Sequence, residues 1–408
     1  MLISGCLVLL LTTFSVVWTP AGAEEQTTNN GQQTERKLVP IQANAETLLY
    51  VQLVRAWRHG DRTPASSVPF YDANAWEEGL GELTMKGIAQ QYRLGRWLRV
   101  RYGNFLGSRF HRNEVFVRSS DYNRTLMSAQ ATMAGLFPPS KSEIWNADIL
   151  WQPVPVHSVP KTMDKELYED IDCPTASSEF SKVWDSTVVR QMVSENEDLI
   201  KYLGEKSQIP NFNLDKLWMV YDNLFCMLQH METHKWPSWI NDSIFDRVQK
   251  LYDGYSRTKY HTDVLRRLRG GPLLKDILDR FVAKVNGALG IQPKLFGYSA
   301  HDTTLAAMLS SLGIYPTVFP RYASAVLLEL HRKDGKFVVQ VFHKNGTDVD
   351  DLYHYEIPGC GDPCTLDALR SAVDRQHFVF SLFCFSFGLH ARFIKLYSWT
   401  DNTYTLTN

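Results

Sequence analysis

Three apolar runs in this chain, Glu46–Trp57 (ETLLYVQLVRAW), Glu114–Ser120 (EVFVRSS) and Lys294–Ser299 (KLFGYS), break off into the polar segments RHGDR, RSSDYNRT and SAHDT. Each polar segment is followed by helical sequence. A strand, a polar end and a helix in that repeated order constrain the fold strongly, because parallel strands must be joined through crossover segments, usually helices. The first run is nearly continuously apolar and rich in β-branched and aromatic residues, as a strand covered on both faces must be. Thr84 is placed to cap a helix with Ile88, Tyr92, Gly95 and Leu98 along one side, and NRTLMSAQATMAGLFPP reads as a second helix stopped at Pro138. After Ser299 the spacing predicts a helix over Leu305–Leu312, capped by Thr303 or Thr304. A hairpin, AVLLELHRKDGKFVVQVFHK, follows with its turn at Asp334-Gly335.

From about Lys161 to Ile291 only helical periodicities occur, in STVVRQMVSENEDLIKYLG, LDKLWMVYDNLFCMLQHM, SIFDRVQKLYDGY and GPLLKDILDRFVAKVNGAL. The expected architecture is therefore an α/β domain with a mostly parallel sheet flanked by helices, interrupted by an inserted all-α domain. Its parts are residues 46–160 and 292–372 for the α/β domain and 161–291 for the insertion. Ligands of such sheets bind beyond the carboxyl ends of the strands, so the three polar ends are expected to converge.

Convergence would pool Arg58, His59, Arg62, Arg118, Arg124, His301 and Asp302. Guanidinium groups present planar forks that match tetrahedral oxyanions, and several around one point repel one another unless a polyanion sits among them. A phosphate is the economical occupant, helped by the helix N-termini that follow each strand. An imidazole among arginines is discouraged from protonating, so His59 would stay neutral and nucleophilic into acid. Such a histidine can attack phosphorus in line and form a phosphohistidine that water then hydrolyses. Asp302 is the candidate general acid for the departing oxygen, which predicts an acidic optimum. Arginines supply the charge stabilisation that a metal supplies elsewhere, so no metal and no cofactor are expected. The pair His230 and His234 has the spacing of a zinc site but lacks its context, and reads as a solvated helix face. Asp61 is assigned to local structure.

Lys plus Arg number 43 against 44 Asp plus Glu, which removes any general attraction to nucleic acid or an anionic membrane. Residues 1–23 pair an apolar run, Leu2 to Val17, with an Ala21-Gly22-Ala23 ending, and read as a cleaved secretory signal. Residues 24–45 read as a flexible leader, with folding expected to begin near Leu38. In an oxidising compartment Cys360 and Cys364, in CGDPC, can close a tight loop. Sequons stand at Asn123, Asn241 and Asn345.

At RHGDRTP the chain resembles the histidine acid phosphatases, most closely their prostatic and lysosomal branch. The likeness continues through RSSDYNRTLMSAQATMAGLFPP, ILWQPVPVHSVP, VYDNLFCMLQHMETHKWPSW, YSAHDTT and PGCGDPC, from about Leu48 to Leu369. The resemblance implies that His59 is the phosphorylated nucleophile and Asp302 the proton donor. It implies that Arg58, Arg62, Arg124 and His301 hold phosphate, with Arg118 outside the site. It also implies a sheet of the phosphoglycerate-mutase kind, a homodimer formed through the segment containing Trp151 and His157, and a secreted or lysosomal location. Lysosomal relatives carry an anchor, but the apolar run Phe378–Leu389 is too short to span a bilayer, so no transmembrane anchor is expected here. Asn123 neighbours Arg124, so Asn241 and Asn345 are the expected glycan sites. Ala325 replaces the family's cysteine partner of Cys226, which is expected to be a free, buried thiol. The tail, residues 373–408, is atypical, and Cys384 is the candidate partner of Cys173 only by distance along the chain. Small phosphomonoesters are the expected substrates. The alternatives are a phytase-like or lipid phosphatase of the same family, or a secreted protein that binds phosphorylated ligands without turnover.

Overall fold

The computed structural model describes residues 36–39, 49–290, 292–315, 319–346 and 352–376. The signal segment, Cys6, most of the leader, Cys384 and nearly all of the tail lie outside these residues. Within them, eight strands form one sheet: β1 (Arg36–Val39), β2 (Leu49–Arg58), β3 (Val115–Ser119), β4 (His157–Ser158), β5 (Leu295–Ala300), β6 (Ala325–Lys333), β7 (Lys336–Lys344) and β8 (Leu352–Tyr355). Their order across the sheet is β1-β8-β7-β6-β2-β5-β3-β4. The sheet is mixed. β2, β5, β3 and β4 run parallel, as the strand-and-helix order requires, whereas β2 also pairs antiparallel with β6. The predicted hairpin is thus added to the parallel set through β2, and its turn places Asp334 and Gly335 both at positive φ.

Helices cover both faces. On one lie α1 (Met85–Leu106) and α2 (Asn123–Leu136), which share a core with Leu53 and Trp57 of β2. On the other lie α8 (Asp263–Val285), α9 (Asp302–Ser311) and α10 (Leu366–Gln376), packed on Val54 and Ala56 of the same strand. Alternation along β2 therefore feeds two cores, which is why its sequence is apolar throughout. A third core belongs to α3 (Pro174–Trp184), α4 (Thr187–Glu195), α5 (Glu197–Ser207), α6 (Leu217–Gln229) and α7 (Asp242–Thr258), joined by Val68 and Trp76 from the loop after β2.

Four expectations change. Arg36–Val39, assigned to the flexible leader, is a strand paired with β8. α8 begins at Asp263 and runs through Pro272, and its residues from Leu273 onward pack in the α/β core rather than in the helical lobe. No threonine caps α9: His301 is its N-cap residue and Asp302 opens the first turn. His230 and His234 lie in the turn after α6 rather than on a helix. Neither is merely solvated, since His230 pairs with buried Asp61 and His234 stacks on Trp76 at 3.6 Å and bonds the Tyr71 hydroxyl at 2.7 Å. Cys360 and Cys364 form a disulfide, Cys173 is disulfide-bonded, and Cys226 is a free buried thiol.

Candidate active site

The site is built where β2 ends. The backbone N–H of His59 donates to Ala300 O at 3.0 Å and its carbonyl accepts from Ala323 N at 3.1 Å, so the chain leaving the sheet stays pinned to the ends of β5 and β6. Gly60 then crosses the start of α1. A β-carbon there would lie 2.3 Å from Gly87 O, a distance no side chain tolerates. Asp61 is fully buried. Its N–H donates to Gln90, while its carboxylate accepts from the Thr84 hydroxyl at 2.6 Å and pairs with His230. It ties the loop to the first turn of α1 and to the end of α6.

His59 is 2 % exposed. Its Nδ1 lies 2.8 Å from Gly60 O, and only a protonated nitrogen can bond a carbonyl, so Nε2 carries the lone pair. Burial holds its protonation far below the ordinary histidine range, and the charges of Arg124, Arg58 and Arg62, with His301, push the same way. The His301 ring stands 5.6 Å from it, centroid to centroid. His301 is itself kept neutral by burial and then by Arg124, Arg62 and Arg58. Its Nε2 meets Ser120 Oγ at 2.9 Å and its Nδ1 lies 3.5 Å from an Arg124 Nη2.

Each arginine is oriented by groups from another element. Arg58 donates to Pro320 O at 2.7 Å, meets Asp302 Oδ2 at 2.9 Å and lies over the Tyr322 ring at 4.2 Å. Arg62 forms a two-pronged pair with Asp222 of α6 at 2.6 and 3.2 Å, and Asp222 also accepts from Ala65 N at 2.7 Å. Burial alone would raise the Asp222 carboxyl, but Arg62 overrides it and holds it ionised below its usual range. Arg124, in the first turn of α2, lies over the Tyr122 ring at 4.4 Å. Burial, then Arg62, lowers it to about 10, still charged at any acidic or neutral pH. The Nε–H groups of Arg58, Arg62 and Arg124 are buried and have no partner. A buried donor left unmade costs about 1–3 kcal/mol, so three in one cluster call for an acceptor with several oxygens.

The five residues expected to hold or attack phosphate, and the expected proton donor Asp302, are thus brought together at the ends of β2 and β5 and the starts of α2 and α9. Arg118 stays outside, paired with Asp164 and Glu166. Cys360 and Cys364 belong to a separate loop near β8. Asn241 caps α7. Asn345, by contrast, lines the main cavity, so the crowding argued for Asn123 applies to it as well. Asp222, Pro320, Ser120 and Tyr322 carry the arrangement without having been singled out by any motif. That cavity, about 370 Å³, is lined by Arg58, Arg62 and Asp302 together with Trp218, Tyr221 and Tyr252. Among the described residues no three His, Cys, Asp or Glu side chains are grouped to hold a metal ion.

The family model described as histidine phosphatase superfamily, branch 2, matches residues 47–344. The chain belongs to that superfamily branch. Its relatives include a Caenorhabditis elegans protein with the provisional name acid phosphatase 5, 52% identical over 82% of this chain and 78% of that protein. Human lysosomal acid phosphatase is 36% identical over 80% of this chain and 77% of its own length, and human prostatic acid phosphatase 35% over 81% and 85%. Among solved structures, Hafnia alvei phytase in complex with tartrate superposes with a TM-score of 0.64 at 15% identity, covering 82% of this chain and 98% of that one. At that identity the match speaks for the fold. It agrees with a mixed sheet flanked by helices.

Proposed function

We propose that the protein is an acid phosphatase that hydrolyses phosphomonoesters through a phosphohistidine on His59. The observation that carries the reading is the unprotonated Nε2 of a buried histidine, fixed by the Nδ1 bond to Gly60 O, among Arg58, Arg62 and Arg124. In the first step the Nε2 lone pair forms a bond to phosphorus as the ester P–O bond breaks, and Asp302 gives its proton to the departing oxygen. In the second, the Asp302 carboxylate takes a proton from water as that water's oxygen bonds phosphorus and the P–N bond breaks. Inorganic phosphate and neutral His59 are the products. Throughout, the three guanidinium groups face charge on the phosphoryl oxygens, and an anion among them offsets their mutual repulsion.

The disulfide Cys360–Cys364 and the disulfide-bonded Cys173 favour an oxidising compartment, and thus a secreted or lysosomal protein. The exposed apolar residues Ile149, Leu150 and Trp151 favour a homodimer. Protein collected from the medium of secreting cells, which itself reads the compartment, is the material for the decisive test. Alkaline quench during turnover of a ³²P-labelled aryl phosphate is expected to trap base-stable, acid-labile label on His59, and His59→Ala is expected to lose both label and turnover. Full activity in that folded variant would exclude the mechanism. Parallel rates on inositol hexakisphosphate and on simple monoesters separate a phytase-like specificity from the one proposed.

A further inference from the structure

An ester cleaved at His59 must place its leaving group where Asp302 can reach it, in the cavity that Asp302 lines. The walls there are aromatic. Tyr221 and Tyr252 stack at 4.0 Å and 14°, and Phe319 meets Tyr252 edge-on at 6.0 Å. The charged lining consists of Arg58, Arg62, Arg321, Asp222, Asp253 and Asp302. Arg58 is paired with Asp302 and Arg62 with Asp222, while Asp253 leans on the Phe319 backbone and Arg257. Among the described residues Arg321 is the one guanidinium of this lining without a carboxylate partner.

Its backbone is fixed by its neighbours, and its side chain is exposed. Pro320 O accepts from Arg58, the Tyr322 ring lies under the Arg58 guanidinium, and Arg321 N donates to Asn345 Oδ1 at 3.0 Å. The tripeptide is a strap tied at both ends to the phosphate-facing arginine, with Arg321 between. We propose that Arg321 determines specificity by pairing with a carboxylate on an aromatic leaving group. A second phosphate fits less well, because Asp222 and Asp302 are matched by Arg62 and Arg58, one guanidinium remains, and Asp253 in the same lining repels a dianion more than a monoanion. The proposal rests on reading the cavity as the leaving-group site of a phosphomonoesterase.

Phenyl phosphate and 4-carboxyphenyl phosphate, compared at a pH where the carboxylate is ionised, test it. The wild type is expected to favour the carboxylated ester about threefold in kcat/KM, as an exposed ion pair would. Arg321→Gln should erase the preference while leaving phenyl phosphate turnover unchanged, and Arg321→Lys should restore part of it. An equal preference in the wild type and Arg321→Gln overturns the proposal. Absence of turnover on both esters counts instead against the hydrolase reading. Calorimetric binding of phenylphosphonate and 4-carboxyphenylphosphonate then makes the same comparison without chemistry: a preference lost in Arg321→Gln supports the pairing, and an unchanged one overturns it.

Discussion

Burial does most to keep His59 neutral, and Arg124, Arg58, Arg62 and His301 add to it in that order. A histidine whose pKa is lowered keeps its lone pair well below the ordinary value near 6.5, so the acidity that protonates a carboxylate to make it a proton donor leaves this nucleophile intact. Removing one of the charges must raise that pKa. Arg124→Ala is therefore expected to move the acid limb of the kcat/KM profile to higher pH, alongside a loss of about a hundredfold at the optimum from the missing oxyanion contact. Arg124→Lys keeps the charge and should lose rate with the limb in place. A limb at one pH in all three proteins would show that Arg124 does not act on His59 electrostatically. The reactive residues were legible because each stands at the end of an apolar run, where a sheet can present it. Asp222 was not, since its pairing with Arg62 joins residues 160 positions apart and exists only in the folded chain.

At the scale of elements, the meeting of α1 and α2 shows where hydrophobic spacing misleads. Ile88, Tyr92, Gly95 and Leu98 mark a helical period, yet Tyr92 is 44% exposed, and the buried line runs through Gly87, Gln91, Leu94, Leu98 and Tyr102. The inner face is small and polar at its amino-terminal end, because Gln91 must reach Arg58 O and Thr132, and glycines must admit neighbouring backbone. A β-carbon on Gly95 would sit 2.0 Å from Thr132 O, and one on Gly135 2.2 Å from Tyr92 O, so the helices touch backbone to backbone. Alanine is the better helix former by about 1 kcal/mol, a gain smaller than the cost of forcing two packed helices apart. Gly95→Ala should accordingly lower unfolding stability by about 2 kcal/mol or more in a denaturant titration. A neutral or stabilising result would mean that the helices can separate without cost. Because α2 carries Arg124, the same variant should also weaken phosphate binding.

For the molecule as a whole, the sequence conveyed the parallel half of the sheet through its strand-and-helix order and the hairpin through Asp334-Gly335, but not how the halves join. That depends on β2 pairing with β5 on one side and β6 on the other, a choice made by tertiary packing. The onset of folding expected near Leu38 falls inside β1, but four residues beside a polar leader carry no period that would mark a strand. At the opposite edge β4 has only two residues and exposes its outer side, a feature that invites pairing with another chain unless it is covered. Beside it in the chain stand Trp145, Ile149, Leu150 and Trp151, at 58%, 42%, 70% and 36% exposure. Trp145 donates to Trp151 O at 2.8 Å, so the segment forms a loop folded on itself rather than a loose strand. A short exposed edge beside an ordered apolar loop suits a self-complementary two-fold contact, in which each copy buries the other's loop. Sedimentation should then report two chains for the wild type and one for the double variant Leu150→Glu and Trp151→Glu, with circular dichroism unchanged. A wild-type mass of one chain up to about 100 μM, a concentration at which a micromolar contact would be filled, would rule this interface out.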